Sequence, residues 1–529
     1  MAIVYCIMVA PSQYAHMPND NQTSLVFPDI DQAFQTTIRL PLPLVYGNKD
    51  YRNREKLLLR MAEIIVTSGV ESAFVTDALE REHAADVNQQ VPFTDRRRDG
   101  VQQHARRSLR CTIARILSNE SHRQFSCHLA ESPLLRWFCH YGEVGVIRVP
   151  SKSTLQRMES SVPAAVMERV NALLLICAST IDGDGQSPVQ LAEPIDLSVV
   201  WIDTTCAELD IHYPVDWALL RDGTRSIIRS IRVMRKHGLK HRMPEPSVFV
   251  AQMNQYSIAM TGASRKGRGG EKASSRKTVL RAMKRLAKKV IRHGRRYLAL
   301  LLKYWKDTDL SEAQALDIAG RLERVLDLMP IAIKQAHERI IGERLVPTKK
   351  KLLSLYEPHA RVYVRGKSGS DAEFGLQMIL SESAEGLIVD CQLRPDDIAA
   401  DATLLVPTLT RIKGTFGASA ARAAVTDRGF ASADNSVKLM NLGIQDVTLP
   451  RSPKAMKKML SKPHLRQLQK RRSQTEARIG IFKANFLGDN IPTKGLKAQQ
   501  RYVAWATLAH NLWVLARLER ISDVAANAA

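Results

Sequence analysis

The chain has 529 residues, 45% of them hydrophobic and 25% charged, a composition ordinary for globular protein. Its length exceeds what one core serves, so roughly three or four domains are expected. Lys and Arg total 77 against 53 Asp and Glu, a net charge of +24, and no apolar run reaches the ~18 residues that span a bilayer, so a polyanionic partner is expected and a membrane-spanning role is not.

Residues 1–34 read as an irregular leader. The opening "MAIVYCIMVA" has a short apolar core with no basic flank before it, which argues against a signal peptide and fits a start at Met17. Residues 35–190 read as helical. "NREKLLLRMAEIIVTSGV" and part of "SPLLRWFCHYGEV" carry helical apolar spacing. In "VPSKSTLQRMESSVPAAVMERVNALLLI", Ser153 with Gln156 predicts a capping box, and Pro163 predicts a break between two helices. Such a pair is compatible with a helix-turn-helix reader and equally with a plain bundle. His122, Cys127, His128, Cys139 and His140 crowd this region, but their spacing matches no zinc pattern and helix packing accounts for them better. Seven cysteines without a CxxC pair suit a reduced, cytoplasmic setting.

"SVVWIDT", residues 198–204, is a β-branched run ending in Asp203, and the first part of a core is placed at 191–222. Residues 223–355 then read as a basic helical insertion. From Ile231 to Lys306 there are 21 Lys and Arg against two acids, Glu245 and Glu271. "GASRKGRGGEKASSRK" reads as a mobile loop, and the helix after it sets an apolar stripe, Val279, Met283, Leu286 and Val290, against a face bearing Arg281, Lys284, Arg285 and Lys288.

The second part of the core is placed at 356–520, with a tail at 521–529. "ARVYVRG", "FGLQMILSES" and "GLIVDCQL" read as a hairpin or meander, followed by a helix within "QLRPDDIAADATLLVPTLTRIKG". "ARAAVTDRGFASADN" carries a strand into Asp427, with Gly429 as a hinge, and "DVTLP" is another short strand. A basic helix, "LRQLQKRRSQTEARIGIFKANF", and an amphipathic one, "QQRYVAWATLAHNLWVLARL", close the series. The order β-(insert)-β-β-α-β-α-β-α predicts an α/β fold with a mixed sheet flanked by helices.

Asp203 and Asp427 each end a strand-like run, and Glu476 is the one acid among ten basic residues between Arg451 and Arg478. Arg472, Glu476 and Lys483 stand at i, i+4 and i+11, on one helix face. Three converging carboxylates repel unless a cation joins them, and Mg2+ or Mn2+ takes oxygen ligands. Two such ions about 4 Å apart clamp the attacking and leaving oxygens of a phosphoryl displacement. Arg472 and Lys483 would hold phosphates. Taken singly, each acid also fits a cap or a turn. His212, Tyr213, Asp216 and Asp222 follow Asp203 closely and suit either phosphate contacts or helix caps. Arg428, Arg365 and Lys367 are further candidates for contact with DNA. The residues alone lead to a metal-dependent phosphodiester enzyme on nucleic acid.

The blocks "WIDTTCAELDIHYPVDWALLRDG", "AEFG", "DRGFASADN" and "RRSQTEARIGIFKANF…AHNLW" resemble the DDE transposases of bacterial insertion sequences, over roughly residues 50–520. The resemblance implies a ribonuclease-H-like core, to which the residues add the helical insertion read after the first strand and the N-terminal helical domain. It implies that Asp203, Asp427 and Glu476 are the catalytic, metal-binding triad. Arg472, Glu476 and Lys483 match a Tyr-(2)-Arg-(3)-Glu-(6)-Lys signature, with Gln469 where the family has tyrosine. It further implies cleavage at transposon ends and joining of the freed 3′-hydroxyl to target DNA. The N-terminal helices would read the terminal inverted repeats of double-stranded DNA, in a homodimer on DNA, within the bacterial cytoplasm at the nucleoid. The alternatives are a catalytically silent, transposase-derived DNA-binding protein and a stand-alone metal-dependent nuclease.

Overall fold

The computed structural model describes residue 42 and residues 45–523, apart from 90–92, 143–145, 182, 184–186, 212–214, 266–269, 368–369, 396–397 and 522. The leader expected at 1–34 lies outside the described residues. Among the described residues the fold is mixed α/β, with one mixed sheet of six strands flanked by helices.

Helices α1 (Lys49–Thr67), α2 (Val70–Gln89), α3 (Asp95–Leu117), α4 (His122–Glu131), α5 (Pro133–Phe138), α6 (Lys152–Ser160) and α7 (Ala164–Ser179) precede strand β1 (Val199–Glu208). Helices α8 (Asp216–Lys236), α9 (Pro246–Arg265), α10 (Gly270–Tyr304) and α11 (Glu312–Ala336) follow it. Then come β2 (Arg361–Lys367), β3 (Ser370–Glu382), β4 (Ile388–Arg394), α12 (Asp401–Phe416), β5 (Ala423–Thr426), α13 (Ala433–Asn441) and β6 (Gln445–Thr448). Helices α14 (Pro453–Leu460), α15 (Pro463–Phe482) and α16 (Leu496–Leu515) complete the described elements.

The sheet runs β2-β3-β1-β5-β6, with β4 also paired to β3. Strand β3 is antiparallel to β1, β2 and β4, whereas β1, β5 and β6 are parallel. The glycine of "AEFG" has a steric reason. A Cβ on Gly375 would stand 2.0 Å from the Ala207 carbonyl oxygen on β1, so no larger residue lets these strands close.

Three apolar clusters organise the described residues. The largest joins α1–α7, one face of the sheet, α12 and α16, so the N-terminal helices share a core with the sheet. A second lies within α8–α11, where Met283, Leu286 and Val290 of the expected stripe are buried. A third, beneath α15, gathers Trp201, Ala423, Val425, Val447 and Leu465.

Several local expectations change. Strand β1 does not end at Asp203 but runs on to Glu208, because β3 pairs it throughout that length. The boundary read at 222/223 falls inside α8, whose apolar face, Leu219 to Met234, belongs to the insert's core. Most of "GASRKGRGGEKASSRK" is helix, since α9 and α10 extend into it from both sides, and 266–269 lie outside the described residues. Ser151 rather than Ser153 caps α6, its hydroxyl accepting from the Thr154 amide at 3.3 Å. The break at Pro163 is present: α6 and α7 meet at a 75° bend. No single described helix is long and apolar enough to cross a membrane.

Helix α16 ties the layers together through Asn511, which is fully buried. Its amide mimics a neighbouring strand for Ile388 at the edge of β4, accepting from the Ile388 N–H at 2.7 Å and donating to its carbonyl at 2.8 Å. The same Nδ2 donates to Asn171 of α7 at 2.8 Å. Replacing Asn511 by Ala would leave two backbone groups and an amide unpaired in the core. Urea unfolding should show a loss of about 2–4 kcal/mol.

Candidate functional site: carboxylates between two parallel strands and a helix

Strands β1 and β5 pair in parallel, Val199 with Ala423, Val200 with Ala424 and Trp201 with Val425. Continued for two residues, that register sets Asp203 beside Asp427. Side chains alternate along a strand, so Asp203 shares the face of Trp201, the face that α15 covers. The end of "AAVT" is thereby explained. Its four residues are buried in the sheet, and Asp427 then accepts from the Gly429 amide at 2.8 Å, capping the short turn Arg428–Phe430.

Helix α15 is seated by polar contacts at three strand ends. Glu382, at the end of β3, is 1% exposed. It accepts from Arg471 Nη1 at 2.5 Å and from Thr475 Oγ1 at 2.7 Å, with Arg478 Nη1 4.0 Å away. The Arg471 guanidinium also lies 4.4 Å over the Trp201 ring, whose Nε1 donates to the Leu468 carbonyl at 3.0 Å. Gln469 Nε2 donates to the Thr426 carbonyl at 3.3 Å and to that of Val447. Gln469 is therefore spent on fastening α15 to β5 and β6.

This seating turns Arg472 and Lys483 toward β1. Arg472 Nη1 stands 3.9 Å from Asp203 Oδ2, and Lys483 Nζ stands 3.3 Å from Glu208 Oε1. Glu476 is exposed. Asp203 is pushed up to about 6, first by burial and then by the charges of Asp427 and Glu476, while the Thr204 amide and Arg472 oppose the shift. Asp203 thus feels the charge of both other predicted acids. Their oxygen donors suit a hard divalent cation, and Asp203, Asp427 and Glu476 are the residues that would hold it. As they stand, however, no three His, Cys, Asp or Glu side chains among the described residues form a group able to hold a metal ion.

The other candidates are spread out. Arg428 is exposed, and its carbonyl accepts from Arg451 Nε at 3.4 Å. Arg281, Arg285 and Lys288 are exposed on α10, while Lys284 Nζ lies 2.8 Å from His337 Nδ1. Burial, followed by neighbouring Lys288 and Arg281, lowers the Lys284 pKa. The side chains of Arg365 and Lys367 lie outside the described residues, as do His212 and Tyr213. Asp216 does not face the strand ends. It is buried in the insert, where it accepts from Gln335 Nε2 at 2.9 Å and pairs with Arg339 at 2.7 Å. Asp222 pairs with adjacent Arg221 at 2.9 Å. In the N-terminal region His122 pairs with Glu159 at 3.0 Å, His128 with Glu120 at 2.8 Å, and Cys139 is buried.

Glu382, Arg471 and Thr475 do not stand out in the sequence. Their only signal is spacing: Arg471, Thr475 and Arg478 line the helix face next to that of Arg472 and Glu476. Comparison with protein-family models, curated proteins and solved structures finds no match to this chain.

The raised Asp203 carries a stability consequence. Folding lifts this carboxyl from 3.8 to about 6, so its ionised form costs nothing below pH 3.8, increasingly between the two values, and its full penalty above pH 6. Asp203→Asn should therefore stabilise the metal-free protein at pH 7.5 by on the order of 1–3 kcal/mol, with the gain shrinking toward pH 4. Denaturant titrations at several pH values check both the sign and the window.

Proposed function

We propose that the chain is a DNA transposase: it cleaves the ends of a mobile element and joins the freed 3′-hydroxyl to target DNA. The observation that carries this reading is the arrangement of β1, β5 and α15, whose register sets Asp203 level with Asp427 and whose helix brings Arg472 within 3.9 Å of Asp203. Strands β3 and β1 antiparallel and β1 and β5 parallel are also what a ribonuclease-H-like core would have. When bound, Mg2+ or Mn2+ would supply Lewis acidity to activate an attacking oxygen and steady the leaving one. Asp203, Asp427 and Glu476 would hold it with ionised carboxylates. Arg472, with its forked guanidinium, would grip a phosphate beside Asp203, and Lys483 would place a point charge further along the helix. The exposed face of α10, with Arg281, Arg285 and Lys288, would follow the phosphate backbone of double-stranded DNA, and Arg428 would touch it near Asp427. Two copies would act together on the paired ends, in the cytoplasm of a bacterium.

Single replacement of Asp203, Asp427 or Glu476 by Ala should reduce metal-dependent cleavage of an element-end duplex to background while leaving DNA affinity within about threefold of the parent. Metal-dependent cleavage by any one of the three variants sinks the assigned triad. A second reading, a silent DNA-binding protein, is favoured by the failure of three carboxylates to gather as they stand. Tight binding with no product in Mg2+ or Mn2+ would select it.

The electrostatic part has its own check. Affinity for duplex DNA should fall at least about a thousandfold between ~50 and ~200 mM salt if six or more phosphates are engaged. Changing Arg281, Arg285 and Lys288 to Gln should flatten the log–log slope by about 0.9 for each phosphate no longer neutralised. A slope that does not move would place DNA away from α10.

A further inference from the structure

The ladder between β1 and β5 ends at Trp201 and Val425, two residues short of Asp203 and Asp427. Backbone pairing therefore leaves the separation of the two acids unfixed. A brace stands on the opposite side of the sheet. Thr204 points away from α15, and its Oγ1 donates to Oδ1 of Asp401 at 2.8 Å. Asp401 opens α12. Its Oδ2 lies 2.7 Å from the point where a Cβ on Gly429 would stand, and Asp427 Oδ1 lies 3.0 Å from that same point. Gly429 is not among the residues with positive φ, so glycine is needed here for space and not as a hinge. Asn435, which is buried, donates from Nδ2 to the Ala402 carbonyl at 2.7 Å and to the Phe430 carbonyl at 3.2 Å. The start of α12 and the turn after Asp427 are thus tied into one body.

We propose that Asp401 is a positioning residue for the carboxylate site. Through Thr204 it holds β1 at the residue next to Asp203. Through its contact with the Gly429 turn it holds the segment that carries Asp427. The two acids are kept facing each other from behind the sheet, and the part of this inference that concerns metal binding and cleavage rests on the proposed function. What Asp401 must supply is an acceptor oxygen of the right shape at Oδ1. An asparagine keeps that oxygen and an alanine does not.

The test uses the full chain and the variants Thr204→Val, Thr204→Ser, Asp401→Ala and Asp401→Asn. In thermal melts T204V and D401A should each lower Tm by roughly 2–4 °C, and the double variant should melt no lower than the worse single one, because both remove the same bond. T204S should restore the parent value. Calorimetric titration with Mn2+ should show about 10- to 100-fold weaker binding in T204V and D401A, and a value within about threefold of the parent in D401N. Turnover on element-end DNA should fall in parallel, with KM for DNA unchanged. Additive Tm losses overturn the brace. So does a D401N variant as impaired in Mn2+ binding as D401A, since charge rather than position would then be what the site requires. If the parent chain neither binds Mn2+ nor cleaves DNA, the proposed function fails, and the melting cycle alone still decides whether Asp401 braces the two strands.

Discussion

A carboxylate that is almost sealed from water must be matched by cations and donors, and at Glu382 this requirement seats a helix. Arg471 and Thr475 satisfy Glu382 directly, and Arg471 and Arg478 also donate to carbonyls of the turn that follows β3. Removing Arg471 would leave the Glu382 charge without its nearest cation, and removing Thr475 would take a donor from it, so these contacts support one another. Because they fix the roll of α15 about its axis, they also decide that Arg472 and Glu476, one position further along, look toward Asp203. The candidate site is an outcome of that buried polar network.

The sheet contributes direction and the helix contributes chemistry. Parallel pairing of β1 with β5 brings Asp203, midway along β1, level with Asp427 at the end of β5, and the second charge acts on an Asp203 that is already poorly hydrated. Such crowding opposes stability, and folds tolerate it where a site gains from it. Arg472 relieves part of the repulsion in the present arrangement. That arginine and a divalent cation would be competing answers to one excess of negative charge.

Much of this architecture is legible in the sequence because the hydrophobic pattern is strong. The apolar stripe of α10 is buried as its 3.6-residue spacing dictates, and the runs around Val200 and Val425 are interior strands. Strand limits are harder to read, since β1 continues through polar Thr204 and Thr205 only because β3 lies alongside, a partner about 170 residues away. Caps are ambiguous where serines cluster, and Ser151 wins over Ser153 by meeting the Thr154 amide. Of the candidate site, the three acids and Arg472 stand out by position and charge. Glu382, Gln469 and Asp401 do not, because their meaning comes wholly from what packs against them. Gly429 reads as flexible in sequence and proves to be a matter of room.

The placement of α16 bears on how such a chain comes to be made. The helix lies at residues 496–515, yet it is interior to the cluster formed by helices starting at residue 49 and by the sheet. The N-terminal helices and the sheet cannot fully cover their apolar faces until the ribosome has delivered this late segment. The insert between β1 and β2 has its own apolar centre and is under no such constraint. During synthesis the basic bundle would be the first part able to consolidate, and the sheet that carries the acids the last.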